Sequence, residues 1–396
     1  MAGKFSNLFK GFFNSEKIAG LLLVFCTIIS LLIANSSFGS DYIHFIESKI
    51  DLSFANITLD YSIEHWVNDG LMAIFFLMVG LEVERELYVG ELADFKKAVL
   101  PLAAAIGGIC IPALIHFFLN KGTATQAGLA IPMATDIAFA LGILALAGNK
   151  VPTAVKVFLT ALAIIDDIGA IVVIAFFYTK TILFTYLLVA LGILLGLFIL
   201  NRLKIARLVF YILPGIIMWY CFLKSGVHAT IAGVLLAFVI PFDKKNEENV
   251  SYKLQHFLHK PVAFIIVPIF ALVNTAIIIP SNILSGLSTP NSLGIIFGLL
   301  LGKLFGIFSI PLILVKLGLA KLQHGINWKN LLGIGCLGGI GFTMSMFITN
   351  LAFTDPDLIS SSKLSILIAS AIAAIIGLIV FLSNRSGESA DIDSDS

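Results

Sequence analysis

The sequence predicts an all-α integral membrane protein of about twelve transmembrane helices. Three observations carry that reading. The 396 residues are 59% hydrophobic; the charged fraction is 12%, roughly half that of a soluble domain; and the apolar residues fall in runs of about 20, the length a bilayer core of roughly 30 Å requires. A water-soluble fold could not hide so much apolar surface.

The runs lie at 18–34, 63–86, 98–119, 127–147, 157–177 and 182–200, then 208–223, 227–241, 257–279, 293–315, 331–353 and 364–381. The first follows Lys4, Lys10 and Lys17 in the manner of a secretory signal. Its apolar stretch is long and further runs follow, so it is read as a retained helix. The seventh and eighth are short enough to be re-entrant, and the loop charges decide between the two readings. Twelve crossings place both termini on one side, and of the 25 basic residues that side receives all but Lys303, Lys49, Lys121, Lys180, Lys224 and Lys363. The asymmetry follows the positive-inside rule at nearly every loop and makes both termini cytoplasmic.

Residues 1–382 therefore form a single transmembrane domain. Within it, 48–61 alternates in part (Ile50, Leu52, Phe54, then Ile57, Leu59) around Ala55-Asn56, which predicts a small external hairpin. The segment 383–396, rich in Ser and Asp, reads as a disordered cytoplasmic tail. Cys26, Cys110, Cys221 and Cys336 lie in apolar runs without a CxxC pair and read as packed thiols. A net charge of +1 and the lack of a basic tract argue against a nucleic-acid partner. No hydrophilic stretch is large enough for a nucleotide-binding domain, and no cofactor is implied, so the work of this chain is done among membrane lipids.

Four charges stand where charges are expensive. Lys303 is mid-run, on a stripe of Gly298, Gly302 and Gly306 that permits close approach of another backbone. An ammonium at the bilayer centre costs about 3 kcal/mol or more and predicts an acidic partner. The available acids are Asp136 and the adjacent pair Asp166-Asp167. Neighbouring helical residues point about 100° apart, so one of the pair can meet Lys303 while the other faces a cavity. Three carboxylates against one ammonium leave a net charge of −2, which is relieved by binding protons or by binding a small hard cation through oxygen ligands. Competition for the same oxygens is exchange. Interhelical staples are the plainer reading of the same residues.

Two runs carry helix breakers. Pro132 precedes Thr135 and Asp136 in the fourth, and Gly333, Gly335, Gly338, Gly339 and Gly341 precede Thr343 and Ser345 in the eleventh. Gly333, Gly335 and Gly338 spell GxGxxG, but no strand precedes them. Discontinuous helices in the middle of two span triplets, three to five and ten to twelve, predict inverted-topology repeats with a site at the midplane.

At these residues the chain resembles the NhaA-type sodium/proton antiporter family over essentially its whole length. The resemblance is carried by Phe75-Phe76-Leu77-Met78-Val79-Gly80-Leu81-Glu82-Val83-Glu84-Arg85-Glu86, Ala134-Thr135-Asp136, Ile165-Asp166-Asp167, Ser225-Gly226-Val227-His228-Ala229-Thr230, Gly302-Lys303 and Gly341-Phe342-Thr343-Met344-Ser345. It implies that spans 4 and 11 cross at their breaks, with Asp136 and Thr135 at the crossing. Asp136 would offset the positive helix ends there and Lys303 the negative ones. It further implies that Asp167 is the principal carboxylate for Na+ or Li+, with Asp166 beside it pairing with Lys303 in one protonation state. The expected activity is electrogenic exchange with H+ across a bacterial inner membrane, in a homodimer joined through the 48–61 hairpin.

Family resemblance places pH regulation at Glu82, Arg85 and Glu86, and His256 and His259 are also placed for pH response; solvated helix ends are the other reading of both groups. Gln255 stands where some members carry a glutamate linked to pH sensing, so the pH set-point does not carry over. His228 and Asp69 read as packing or helix-end groups. Three rivals remain at this level: a proton-coupled solute symporter, a cation channel and an intramembrane aspartyl protease. The last is opposed by a lysine in the same site and by the absence of a Gly-x-Gly-Asp context.

Overall fold

The computed structural model describes residues 2–53, 58–148, 151–178, 182–244, 249–280, 282–323 and 325–383, with side chains from Glu16 onward. The hairpin tip at Ala55-Asn56, the loop cations Lys150, Lys180 and Lys245, and the 384–396 tail lie outside the described residues, as do the side chains of Lys4 and Lys10.

Among the described residues, eight helices are long and apolar enough to cross a membrane: Glu16–Ala34, Ile63–Tyr88, Phe95–Leu119, Thr153–Phe177, Phe184–Arg202, Val250–Asn274, Pro290–Lys316 and Pro356–Ser383. Two helix pairs pass the same test together but bend between their members, Ala124–Met133 with Ile137–Leu146 by 45° and Trp328–Gly338 with Phe342–Ala352 by 41°. Val209–Ser225 and Thr230–Val239 are shorter apolar helices. The chain is thus an all-α, multi-pass membrane protein. Its apolar excess is turned outward on helices such as Phe184–Arg202, where only Ala190 and Leu197 are buried and Leu188, Leu191 and Leu195 are exposed. Those side chains meet acyl chains rather than water.

Polar side chains at the helix starts define the ends. Asp94, Asn249, Thr289 and Asn327 each accept a backbone N–H from the first turn they precede. Gly226, at φ 85°, stops Val209–Ser225 in the left-handed conformation that glycine adopts without strain. The predicted hairpin is present as two three-residue strands, Lys49–Asp51 antiparallel to Asp60–Ser62, with Lys49 and Asp60 paired at 3.0 Å. Gly39–Glu47 and Ile283–Leu287 are short helices that the hydropathy runs do not announce.

Long, bent and long elements follow one another twice: Phe95–Leu119, the first bent pair and Thr153–Phe177, then Pro290–Lys316, the second bent pair and Pro356–Ser383. The glycine stripe sets how closely these groups meet. A Cβ on Gly302 would stand 2.7 Å from Pro112 Cα, and one on Gly298 2.6 Å from Pro132 Cβ. Pro290–Lys316 therefore lies directly on the backbone of Phe95–Leu119, held by dispersion contacts that a larger side chain would prise apart. A wide π-type turn over Gly298–Gly302 immediately precedes Lys303. One loop assignment changes: Lys363, counted with the external loops, is 6% exposed and tucked along Pro356–Ser383 toward buried amides. A long lysine stem can draw its head inward where polar partners wait.

Candidate functional site

The two bends supply each other's missing hydrogen bonds. Where a helix breaks inside a membrane its freed backbone groups need partners. Asp136 N–H donates to Ile340 O at 2.7 Å, Thr135 Oγ1 donates toward Gly338 O at 2.8 Å, and Ser345 Oγ donates to Ile131 O at 2.6 Å. Asp136 then serves two helix starts at once. Its Oδ1 accepts Phe139 N–H at 2.9 Å, capping Ile137–Leu146, and its Oδ2 accepts both the N–H and the hydroxyl of Thr343 at the start of Phe342–Ala352. A carboxylate facing two helix N-termini is favoured by both macrodipoles.

Thr153–Phe177 runs past these breaks and brings in the paired acids. Asp166 and Asp167 are each 1% exposed. Asp166 Oδ2 accepts from Lys303 Nζ, itself fully buried, and lies 2.7 Å from Thr135 Oγ1. The negative helix end at Gly338 O is met by the Thr135 hydroxyl, and Lys303 is directed to the carboxylate. Oδ1 of Asp166 and Oδ1 of Asp167 are buried with no hydrogen-bond partner. Those are two acceptor atoms of high charge density in a dry region, side by side on one helix, where an unpaired carboxylate is costly. The adjacent pair divides as its helical geometry requires: Asp166 meets the lysine and Asp167 lines an open cleft.

That cleft, about 670 Å³ with its mouth included, is walled by Asp136, Thr343, Thr160, Phe75, Val79 and Val267 around Asp167. It joins a polar set to a site that is otherwise apolar.

A family model described as Na+/H+ antiporter 1 matches residues 10–381. The chain belongs to the Na+/H+ antiporter 1 family. It is 56% identical over 374 residues to Na(+)/H(+) antiporter NhaA of Flavobacterium psychrophilum, covering 94% of this chain and 95% of that one. To Na(+)/H(+) antiporter NhaA 1 of Flavobacterium johnsoniae it is 57% identical over 376 residues, 95% and 97% of the two chains. To the NhaA of Dechloromonas aromatica it is 57% identical over 380 residues, 95% and 96%.

The residues read as pH-responsive in this family member divide in the structure. Glu82 and His259 line the cleft, whereas His256 is exposed and Arg85 and Glu86 pair with each other at 3.3 Å beyond it. Glu86 also accepts Glu91 N–H at 3.1 Å, tying off the helix end. Gln255 is half-buried beside His256. His228 Nε2 bonds Tyr178 O at 2.9 Å, a packing role, and Asp69 lies 3.5 Å from His65 one turn back on its own helix. One titratable residue of the cleft escapes the sequence reading. Glu16, 5% exposed, meets His259 Nε2 at 3.2 Å. Its only signal in the sequence is an acid at the margin of the first apolar run, where solvated charges are common.

Proposed function

We propose that this protein is a secondary active antiporter that exchanges Na+ or Li+ for H+ across the bacterial inner membrane, with Asp167 and Asp166 as the carboxylates that cation and protons contend for. The observation that carries the proposal is the pair of unpartnered buried oxygens on those two residues, one residue held by Lys303 and the other turned into a cleft. In the proton-loaded state Asp167 is neutral and the Asp166–Lys303 pair is closed. A cation arriving through the cleft displaces the proton on Asp167 and recruits Asp166. The Lys303 ammonium, losing its counter-charge, gives up a second proton. Two protons leave for one cation, so each cycle moves net charge. Asp136 keeps the helix starts compensated throughout.

In this reading the chain crosses the membrane twelve times, the two short helices included, and both termini are cytoplasmic. The bent helices cross at their breaks as the centres of two inverted repeats. Residues 1–382 form the antiporter domain and 383–396 a disordered cytoplasmic tail. Basic Lys17, Arg85 and Lys260 neighbour the cleft residues Glu16, Glu82 and His259, so the cleft opens to the cytoplasm. Glu16, Glu82 and His259 at that end adjust access with pH. The 48–61 hairpin joins two copies, and removal of 49–61 is expected to leave a monomer by light scattering in detergent.

The decisive measurement is exchange in proteoliposomes, with a sodium gradient imposed and internal pH followed by a dye. Asp167→Asn is expected to lower sodium-driven proton movement at least 100-fold. A wild-type protein silent from mildly acidic to alkaline pH sinks the proposal.

A further inference from the structure

Beyond the cleft lies a second buried polar cluster that the exchange chemistry does not use. Asn274, fully buried, donates from Nδ2 to Asn68 Oδ1 at 2.9 Å. Its Oδ1 accepts from Asn350 Nδ2 at 2.7 Å and from Lys363 Nζ at 3.2 Å. Lys363 in turn lies 3.7 Å from Glu64 Oε1. Five side chains on four helices thus form one connected set, and neutral amides in an apolar protein interior are retained at a cost.

Their register is informative. Asn68 is seven residues before Phe75, Asn274 seven after Val267, and Asn350 seven after Thr343, and Phe75, Val267 and Thr343 all line the cleft. Seven residues are about two turns and about 10 Å of helix. Two α-helices from different parts of the chain therefore carry an amide on the face that lines the cleft, two turns farther in, and Asn68, across the wide π-type turn Trp66–Leu71, joins them through its bond to Asn274. On the helices of Asn68 and Asn274, Glu82 and His259 mark the opposite, cleft end. The amides lie beyond the cleft-lining residues, on the side away from Glu82 and His259.

We propose that Asn68, Asn274, Asn350 and Lys363 are the closed gate at the end of the ion path opposite the cleft, with Glu64 as its latch. The inference rests on the exchange reading and adds to it the element that separates the second face from the site. Asn68 and Asn274 are carried by Ile63–Tyr88 and Val250–Asn274, which lie outside the two long–bent–long groups, whereas Asn350 and Lys363 are carried by Phe342–Ala352 and Pro356–Ser383 of the second group. Parting the two sets breaks the Asn350 and Lys363 bonds to Asn274 and leaves Asn274 with Asn68. The groups that part are polar, so water hydrates them as they separate, and the opened passage is lined by oxygen ligands suited to a small cation. The latch is long and Glu64 is half-exposed, so on opening its carboxylate moves into water, while the buried Lys363 ammonium is hydrated by the passage that opens beside it.

The test uses Asn350→Cys, with the four native cysteines replaced, in sealed vesicles of known orientation exposed to an impermeant thiosulfonate on the face opposite the cleft. Labelling is expected to be slow at rest, to accelerate at least threefold during sodium-driven exchange, and to accelerate similarly when Glu64→Gln is added. Asn68→Cys carries the same expectation should the first variant fail to fold. Labelling indifferent both to turnover and to Glu64→Gln, in protein that still exchanges, overturns the gate. Wild-type protein without exchange overturns instead the reading beneath it.

Discussion

Thr135 carries one hydroxyl proton and stands within hydrogen-bond distance of two acceptors, Asp166 Oδ2 and Gly338 O. With Asp166 held by Lys303 the proton is shared between the two acceptors; when a cation draws the carboxylate away, Thr135 donates to Gly338 alone. The threonine thus accommodates both arrangements without moving, as a hydroxyl can and a methyl cannot. Thr135→Ser should leave exchange near wild type. Thr135→Val strands a buried carbonyl and weakens the carboxylate's surroundings by about 1–3 kcal/mol, and is expected to raise the half-saturating sodium concentration roughly tenfold, since 1.4 kcal/mol is a factor of ten. Sodium activation curves of the three proteins decide it. At this scale the sequence was most legible where charge was scarce: Asp136, Asp166, Asp167 and Lys303 stand out against apolar neighbours. Glu16 beside Lys17 looks like any solvated helix start, and Asn68, Asn274 and Asn350 carry no charge to betray them.

The elements were legible for a different reason. Pro132 and the glycines from Gly333 to Gly341 are locally incompatible with uninterrupted helix, and the breaks fall at 134–136 and 339–341. What one sequence could not disclose is that the breaks are one construction, each completing the other's hydrogen bonds, because that depends on contacts 200 residues apart. The spacing of the glycine stripe predicts a close approach and the stripe makes one, though nothing local in the sequence points to its partners, Pro112 and Pro132. Overpacking there should cost more than a typical core enlargement, because backbone as well as side chain must yield. Gly302→Leu is expected to lower the detergent-solubilised melting temperature by several degrees and abolish exchange, while Gly192→Leu, where nothing lies within 4 Å, should leave both unchanged. Equal melting temperatures for the two variants would refute the tight-stripe account.

For the molecule as a whole, Glu16, Glu82 and His259 share the cleft wall with Asp167, and in the proposed reading they stand between the cytoplasm and that carboxylate. In the proposed reading a protonated His259 offsets Glu16 directly and adds to Arg85 in offsetting Glu82, so its deprotonation leaves the cleft more negative. On that reading, access of a cation to the site is expected to rise with pH as the histidine loses its proton. His259→Gln removes the titrating charge, and its exchange rate should vary less steeply with pH than wild type while the maximal rate stays within about threefold. A profile as steep as wild type would move regulation to other groups. With the cleft open to the cytoplasm, as proposed, its one-sidedness bears on the cell. An exchanger that idles with its binding pocket open to the cytoplasm is loaded by whatever sodium accumulates there, so its turnover is set by intracellular demand. It behaves as a relief valve, silent while the interior is clean and running fastest when the cell is most in need of export.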